Sequence, residues 1–230
     1  NARAVEPAGE ISFAEGHAYI YIVTGAEYDP FLLDDEVGVN TPAGPGLLGV
    51  EGDKVAGLRV INALADGLAI RVRLDDEVLI DSLSAQAANP YLNVRQAQYS
   101  MRIGPGGGSP NAPDYAIEDL NLLDRDRISV LVYGQSEDMR IAVFADRSEL
   151  VQAGTAILRI IHAAPAQGRI FARIDLPLPG EGTPQPTGTP QFSFTPSPEN
   201  QGTDETHAIA PGEAGDYLGL PSNTYDIRIY

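Results

Sequence analysis

The chain has 230 residues, which is enough for one or two domains with a sizeable core. Its 32 acidic and 15 basic side chains give a net charge of −17, which disfavours nucleic acid and anionic membranes as partners. The chain has no cysteine, so disulfides, thiolate metal sites and cysteine nucleophiles are excluded. No apolar run approaches the roughly 20 residues of a membrane span.

Short apolar runs rich in β-branched and aromatic residues predict strands along most of the chain. In chain order they are Ala18–Val23, Leu58–Ile61, Ala69–Leu74, Tyr99–Ile103, Ile128–Tyr133, Ile141–Phe144, Ile157–Ile161, Ile170–Ile174 and Tyr225–Tyr230. Alternation is strict in residues 70–74 and 225–230, which predicts one apolar and one polar face. Residues 117–123 fit a helical turn as well as a strand. The pattern predicts an all-β fold, a sandwich or a barrel.

Internal repeats set the predicted organisation of these strands. Three pairs of segments match without gaps: 58–63 with 158–163, 91–103 with 217–229, and 17–25 with 126–134. Residues 1–50 therefore correspond to the C-terminal half of a β-sandwich repeat. Residues 56–150 correspond to a complete repeat, and residues 155–230 to the N-terminal half of another.

The last partial repeat contains a Pro/Thr/Gly-rich insertion at residues 177–203, for which we predict extended chain. Within it, Gln191–Thr195 alternates between polar and aromatic residues. Phe192 and Phe194 are therefore candidates for a contact loop. A strand hairpin folded back onto its own domain fits this segment equally well.

Two motifs resemble a family. Residues 158–165 (LRIIHAAP) and 216–225 (DYLGLPSNTY) resemble the R-V-x-H-A-x-P and Y-L-x-L-P-x-G-x-Y signatures of a domain-of-unknown-function family of bacterial exported proteins. The resemblance implies tandem Ig-like β-sandwich repeats on secreted or cell-surface proteins, with no enzymatic activity. The sequence departs from the signature at Asn62, which replaces the motif histidine, and at Asn223, which replaces a glycine.

The residues give no indication of catalysis. His17, His162 and His207 share no ligand spacing, and neither a nucleophile elbow nor a phosphate-binding loop is present. We expect His162 to fix the turn after its strand through a hydrogen bond to the backbone. We expect Tyr91 and Tyr217 to form tyrosine corners. The chain is therefore predicted not to be an enzyme and to need no cofactor.

Acidic clusters at residues 34–36 and at 75–77 with Asp81 have the oxygen ligands that calcium prefers. Neither follows a known calcium-loop pattern, so solvated turns are favoured over calcium sites.

The two partial repeats are complementary halves of one domain. Each half alone would expose a sheet edge and half a core. The C-terminal half of one subunit can complete the N-terminal segment of the next, giving a head-to-tail homopolymer. The halves can also meet within one chain as a permuted domain, or the chain can be a window of a longer array.

Of these arrangements, the pattern favours an extracellular structural filament or array. Its predicted intersubunit strands contain Tyr19, Ile20, Tyr21, Ile22, Val23, Tyr225, Ile227 and Ile229. The alternative is a monomeric secreted or surface module that binds a glycan or a protein.

Overall fold

The computed structural model describes residues 10–25, 29–36, 54–107, 114, 116–146, 154–175 and 208–229. This part of the chain is all-β, as predicted, and contains no helix. Its strands are β1 (Glu10–Phe13), β2 (His17–Thr24), β3 (Asp29–Glu36), β4 (Val55–Leu64), β5 (Ile70–Leu74), β6 (Glu77–Leu83), β7 (Ala87–Ala88), β8 (Leu92–Arg95), β9 (Ala97–Pro105), β10 (Ala116–Leu122), β11 (Arg127–Gln135), β12 (Asp138–Ala145), β13 (Thr155–His162), β14 (Ala172–Asp175), β15 (Leu218–Pro221) and β16 (Asn223–Ile229). Residues 117–123, left open above, fall almost entirely in β10.

The first sandwich is built from the continuous stretch that the repeat predicted. One sheet has the strand order β10-β9-β5-β6 and the other β12-β11-β4-β7, with β8 also paired to β4. β4 and β11 run parallel, with Leu58 opposite Ile128. The apolar pattern of residues 56–150 predicts a core of nine residues. Eight of them are buried: Leu58, Val60, Ile70, Val72, Tyr99, Met101, Val130 and Val132. The ninth, Leu92, is only half-buried because it begins β8, which pairs only with β4.

The second sandwich is assembled from the two ends of the described chain. Its sheets have the strand orders β15-β13-β2-β3 and β1-β16-β14. β13 runs parallel to β2 with Leu158 opposite Tyr19, and β1 pairs antiparallel with β16. β1 and β2 therefore pair with strands of the C-terminal half, as the repeat pattern predicted, while β3 pairs with β2. They do so within one chain, as a permuted domain, and exchange between subunits stays a prediction.

A third apolar layer joins the two sandwiches. Alternate residues of β2 face different partners: Tyr19, Tyr21 and Val23 enter the core of the second sandwich, whereas Ile20 and Ile22 face the first. The joining layer comprises Ile20, Ile22, Ile61, Ala63, Leu131, Tyr133, Ile161 and Ala163. The inner strands β2, β4, β11 and β13 are thus buried on both faces. This explains why the sequences of these strands are continuous apolar runs, whereas the outer strand β16 alternates between buried and more exposed residues.

Candidate functional site

His162 and its repeat counterpart Asn62 hold the same turn in the two sandwiches. His162 Nε2 donates to the carbonyl of Gly168 at 2.7 Å, and the amide of Ala164 donates to Nδ1 at 3.3 Å. Burial lowers the pKa of His162, which keeps the ring neutral and suited to this pair of bonds, although the bond to Gly168 opposes the shift.

Asn62 makes matching bonds. Its Nδ2 donates to the carbonyl of Leu68 at 2.8 Å, and the amide of Leu64 donates to Oδ1 at 3.2 Å. The departure from the family signature at Asn62 therefore keeps the hydrogen bonds. The expected turn-fixing role of His162 agrees with this geometry.

The remaining histidines and acidic clusters form no metal site in the described part of the chain. His17 Nδ1 lies 2.7 Å from Asp34 Oδ1, with the His17 side chain half-buried and the Asp34 side chain exposed. The first acidic cluster lies on β3 rather than in the solvated turn we expected, because residues 29–36 pair along the whole of β2. Asp75 does lie in the β5–β6 turn, where its Oδ1 accepts from the amide of Ser100. His207 lies outside the described residues.

The tyrosine-corner prediction was wrong in its choice of residues. Tyr99 donates its hydroxyl to the carbonyl of Arg95 at 2.9 Å, and its counterpart Tyr225 donates to that of Pro221 at 3.0 Å. These two residues, four positions beyond their acceptors, form the corners of the two sandwiches. Tyr91 and Tyr217 instead reach a shared carboxylate.

That carboxylate is Asp146, at the end of β12 and between the two sandwiches. Its Oδ2 accepts from Tyr91 at 2.6 Å and from Ser129 at 2.5 Å, both from the first sandwich. Its Oδ1 accepts from Tyr217 of the second sandwich at 3.1 Å. Each oxygen therefore serves one sandwich, and only 6% of the Asp146 side chain is exposed.

Two arginines at matching repeat positions complete the cluster. Arg59 lies 3.6 Å from Asp146 Oδ2 and Arg159 lies 3.9 Å from Oδ1. Each guanidinium also lies over the tyrosine of its own sandwich, Arg59 over Tyr91 at 4.4 Å and Arg159 over Tyr217 at 4.9 Å. A carboxylate with this many donors fixes the geometry of the interface, and it is not exposed to act on a substrate. Sequence reasoning missed Asp146 because the gapless match aligns it with Val37. The β2–β3 hairpin is two residues shorter than the β11–β12 hairpin, so in the strand register the counterpart of Asp146 is Asp35.

A close approach between Tyr133 and Gly212 makes the same interface asymmetric. Gly212 has a φ of +82°, and a Cβ built on it would overlap the Tyr133 hydroxyl. At the matching position the first sandwich has Gln86, with a φ of 54°, and Thr24 stands where Tyr133 does. The left-handed turn therefore occurs in both sandwiches, but only the copy that meets Tyr133 requires glycine.

The predicted intersubunit residues lie along one seam of the second sandwich. Tyr19, Ile20, Tyr21, Ile22 and Val23 occupy β2, and all five are buried. Tyr225, Ile227 and Ile229 occupy β16 and are also buried. The two strands belong to different sheets of this sandwich, and the side chains of Tyr19, Tyr21 and Val23 share one core with β16. Phe192 and Phe194 lie outside the described residues.

Residues 56–172, half of the chain, match a family model described as Domain of unknown function (DUF4397). The chain belongs to this family. The DUF4397 match runs from β4 to the start of β14, so it spans the first sandwich and β13 of the second. The expected membership of a domain-of-unknown-function family is confirmed, whereas the motif signature and the tandem Ig-like array stay predictions.

Other comparisons add little to the DUF4397 assignment. No curated protein matches the chain at a significant level. Among solved structures, the C-terminal domain of AlgF from P. aeruginosa is similar with 14% sequence identity and a TM-score of 0.32. The similarity covers 41% of this chain and 100% of that domain, and at such a TM-score it supports no conclusion. The described residues contain no helix that is long and apolar enough to cross a membrane.

Proposed function

We propose that this DUF4397 protein is an extracellular structural subunit, not an enzyme, that assembles head to tail through strand complementation. The observation that carries the proposal is the split second sandwich. Strands β1–β3 are joined to their partner strands by sheet hydrogen bonds and core packing, while the covalent path between them runs through the whole first sandwich. The same contacts can therefore form between two chains without any change in their geometry.

The seam is extensive enough to support assembly. β2 pairs with β13 over residues 18–23, and β1 pairs with β16 over residues 10–13. Tyr19, Tyr21 and Phe13 are almost fully buried against the other half. Burying a large apolar side chain contributes about 1.5–3 kcal/mol, so several such residues are comparable with the roughly 4–15 kcal/mol lost on association.

The extracellular location rests on sequence features. The absence of cysteine suits export without oxidative folding, and the net charge of −17 favours solubility. The resemblance of residues 158–165 to exported proteins points the same way. No cofactor is part of the proposal.

A monomeric surface module that binds a glycan or a protein is the second candidate. The observation that favours it is closure of the second sandwich within one chain. In a closed domain the strands of the seam are already paired within the chain, so no neighbouring subunit is needed.

Paired cysteines distinguish the two candidates, because the chain has no cysteine of its own. Ser12 of β1 and Thr224 of β16 are register partners whose hydroxyl oxygens lie 2.8 Å apart. Under oxidising conditions, the double variant Ser12→Cys/Thr224→Cys should give disulfide-linked oligomers on non-reducing gels if strands are exchanged. It should give only monomers if each chain closes on itself.

The first sandwich supplies a matched control. Gln98 and Asn121 occupy the same register positions on β9 and β10, within one continuous domain. Gln98→Cys/Asn121→Cys should therefore remain monomeric at every concentration. If both pairs give only monomers and electron microscopy of the unmodified protein shows no fibres, the filament proposal fails and the monomeric module stands.

A further inference from the structure

The two sandwiches differ at one edge of their outer sheets. In the first, β6 pairs with β5 and brings Leu79 and Ile80 against the core. In the second, β14 takes the place of β5. Among the described residues, the pairing on the free side of this strand is a single antiparallel bridge between Ile170 and Ile209. That bridge matches the pairing of Ile70 with Leu83, so the second edge begins like the first.

A cavity of about 200 Å³ lies in the second sandwich where β6 would add its side chains. Its apolar lining includes Ile160, Ala172, Ile174, Ile209 and Leu218. The counterparts of the first four are Val60, Val72, Leu74 and Leu83, and all of these are buried in the core that Leu79 and Ile80 complete. The cavity therefore marks a missing edge strand rather than a general defect in packing.

The chain next to this edge lacks the side chains to fill it. By sequence position relative to Ile209, the residues that correspond to Leu79 and Ile80 are Glu205 and Thr206. An acid and a hydroxyl are unsuited to an apolar cavity whose mouth already bears Glu213 and Asp216. Beyond the end of β14, Pro177 and Pro179 have no amide hydrogen, so they cannot donate to the hydrogen-bond ladder of a sheet.

We propose that the Gln191–Thr195 segment of this chain docks along β14 as the missing edge strand. Residues two apart in a strand point to the same face, so Phe192 and Phe194 would both face the cavity. A cavity of about 150 Å³ is known to hold a benzene ring. The one here therefore takes one phenylalanine ring, and the other covers its mouth. The segment carries no charge, so the acids at the mouth do not oppose it.

The chain path also identifies the occupant. Asp175 ends β14, and Ala208 precedes Ile209 of the bridge. The two residues that flank residues 176–207 therefore both lie at this edge. Residues 176–190 and 196–207 can each extend by roughly 3.3–3.6 Å per residue, which is ample to bring the segment back to its own β14. Tethering at both ends gives the chain's own segment a high effective concentration over that of any neighbour. This inference does not depend on whether β1–β3 are exchanged between subunits.

Tryptophan fluorescence tests the docking in the full chain, which has no tryptophan. In Phe194→Trp, the new indole should emit at short wavelength and resist acrylamide quenching. Thr187→Trp, in the same insertion but outside the segment, serves as the exposed control and should be quenched several-fold more strongly. Adding Ala172→Leu to Phe194→Trp fills part of the cavity and should make the indole as quenchable as that of the control.

Three results would overturn the proposal. The indole at position 194 could be as accessible as the one at 187, or Ala172→Leu could leave its protection unchanged. Protection that disappears on dilution, together with a concentration-dependent size on gel filtration, would assign the cavity to a segment from a second copy. As a second readout that does not rely on tryptophan, Phe192→Ala/Phe194→Ala should lower the unfolding midpoint, whereas Thr187→Ala/Thr189→Ala should not.

Discussion

The first sandwich is one continuous stretch of chain, whereas the second is assembled from two distant stretches, and yet their inner sheets have the same register. Leu58 lies opposite Ile128 in one, and Leu158 opposite Tyr19 in the other. The matching antiparallel pairs of the outer sheets agree as well. Side-chain pattern therefore specifies strand pairing here, and the order of connection along the chain does not.

The sandwiches differ where they meet each other. Asp146 belongs to the first copy but binds tyrosines of both, and Tyr133 packs on Gly212 in one direction only. Two nearly equivalent domains are thus joined by an interface that is not equivalent from its two sides. The predictions below test how far this asymmetry matters.

The largest expected effect comes from removing the shared carboxylate. Asp146→Ala removes the counter-ion of buried Arg59 and partly buried Arg159 and the acceptor of two tyrosine hydroxyls, so the free energy of unfolding should fall by about 3–5 kcal/mol. Asp138→Ala removes an exposed partner of Arg140 and should cost no more than about 1 kcal/mol. Urea unfolding of both variants measures the difference. Similar losses in the two would mean that Asp146 does not hold the sandwiches together.

Exchanging the asymmetric contact between copies should have the next largest effect. Gly212→Gln copies Gln86 of the first sandwich and should destabilise by about 2–4 kcal/mol, from backbone strain and overlap with Tyr133. Tyr133→Thr copies Thr24 and should recover part of that loss when combined with it. A double-mutant cycle measures the coupling. Simple additivity would contradict direct contact as the cause.

Substitution of Tyr21 should change the stability in the opposite direction. Its hydroxyl is buried without a hydrogen-bond partner among the described residues, so Tyr21→Phe should stabilise by about 1–3 kcal/mol. Tyr225→Phe, which loses the bond to Pro221, should instead destabilise by about 0.5–1.5 kcal/mol. Thermal unfolding at pH 7 compares the two variants, and a loss of stability in both would contradict the prediction.

The same residue links stability to alkaline pH. Burial raises the pKa of Tyr21 to about 12, from 10.0 in the unfolded chain. The folded state therefore prefers the neutral form over the phenolate, so Tyr21 causes no pH-dependent loss below pH 10 and an increasing loss of stability as the pH rises towards 12. Tyr21→Phe should show a smaller loss of stability over that range in a pH series of urea midpoints.

The smallest effect is expected from exchanging the turn-fixing residues. His162→Asn conserves both hydrogen bonds of His162 and should change the free energy of unfolding at pH 7.5 by about 1 kcal/mol or less. Asn62→His loses the third bond of Asn62, from Nδ2 to the carbonyl of Leu83 at 3.0 Å, and should cost about 0.5–1.5 kcal/mol. Their pH dependence should differ in sign. Burial lowers the pKa of His162, so its contribution is present above pH 6.5 and is lost as the pH falls below it. His162→Asn should remove this acid sensitivity and Asn62→His should add to it, as measured by urea midpoints at pH 7.5 and 5.

Part of the site could be read from the matched segments. Arg59 and Arg159 interrupt apolar strands at the same repeat position, and Tyr91 and Tyr217 recur together. That recurrence signalled a shared role, but it did not reveal their partner. The counterpart of Asp146 in the strand register is Asp35, which the gapless match does not align with it, and the tyrosines were therefore assigned to corners that Tyr99 and Tyr225 occupy.

The sequence by itself determined the all-β class, the phase of the repeat and the pairing of the N-terminal strands with the C-terminal half. These follow from local periodicity and self-similarity, which report which faces of a strand are apolar. Only the tertiary structure decided what those faces touch. Ile20 and Ile22 are as apolar as Tyr19 and Tyr21, but one pair packs on the neighbouring sandwich and the other fills its own core. The hydrophobic effect is non-directional, so burial can be predicted from an apolar pattern, whereas the partner depends on how whole sheets stack.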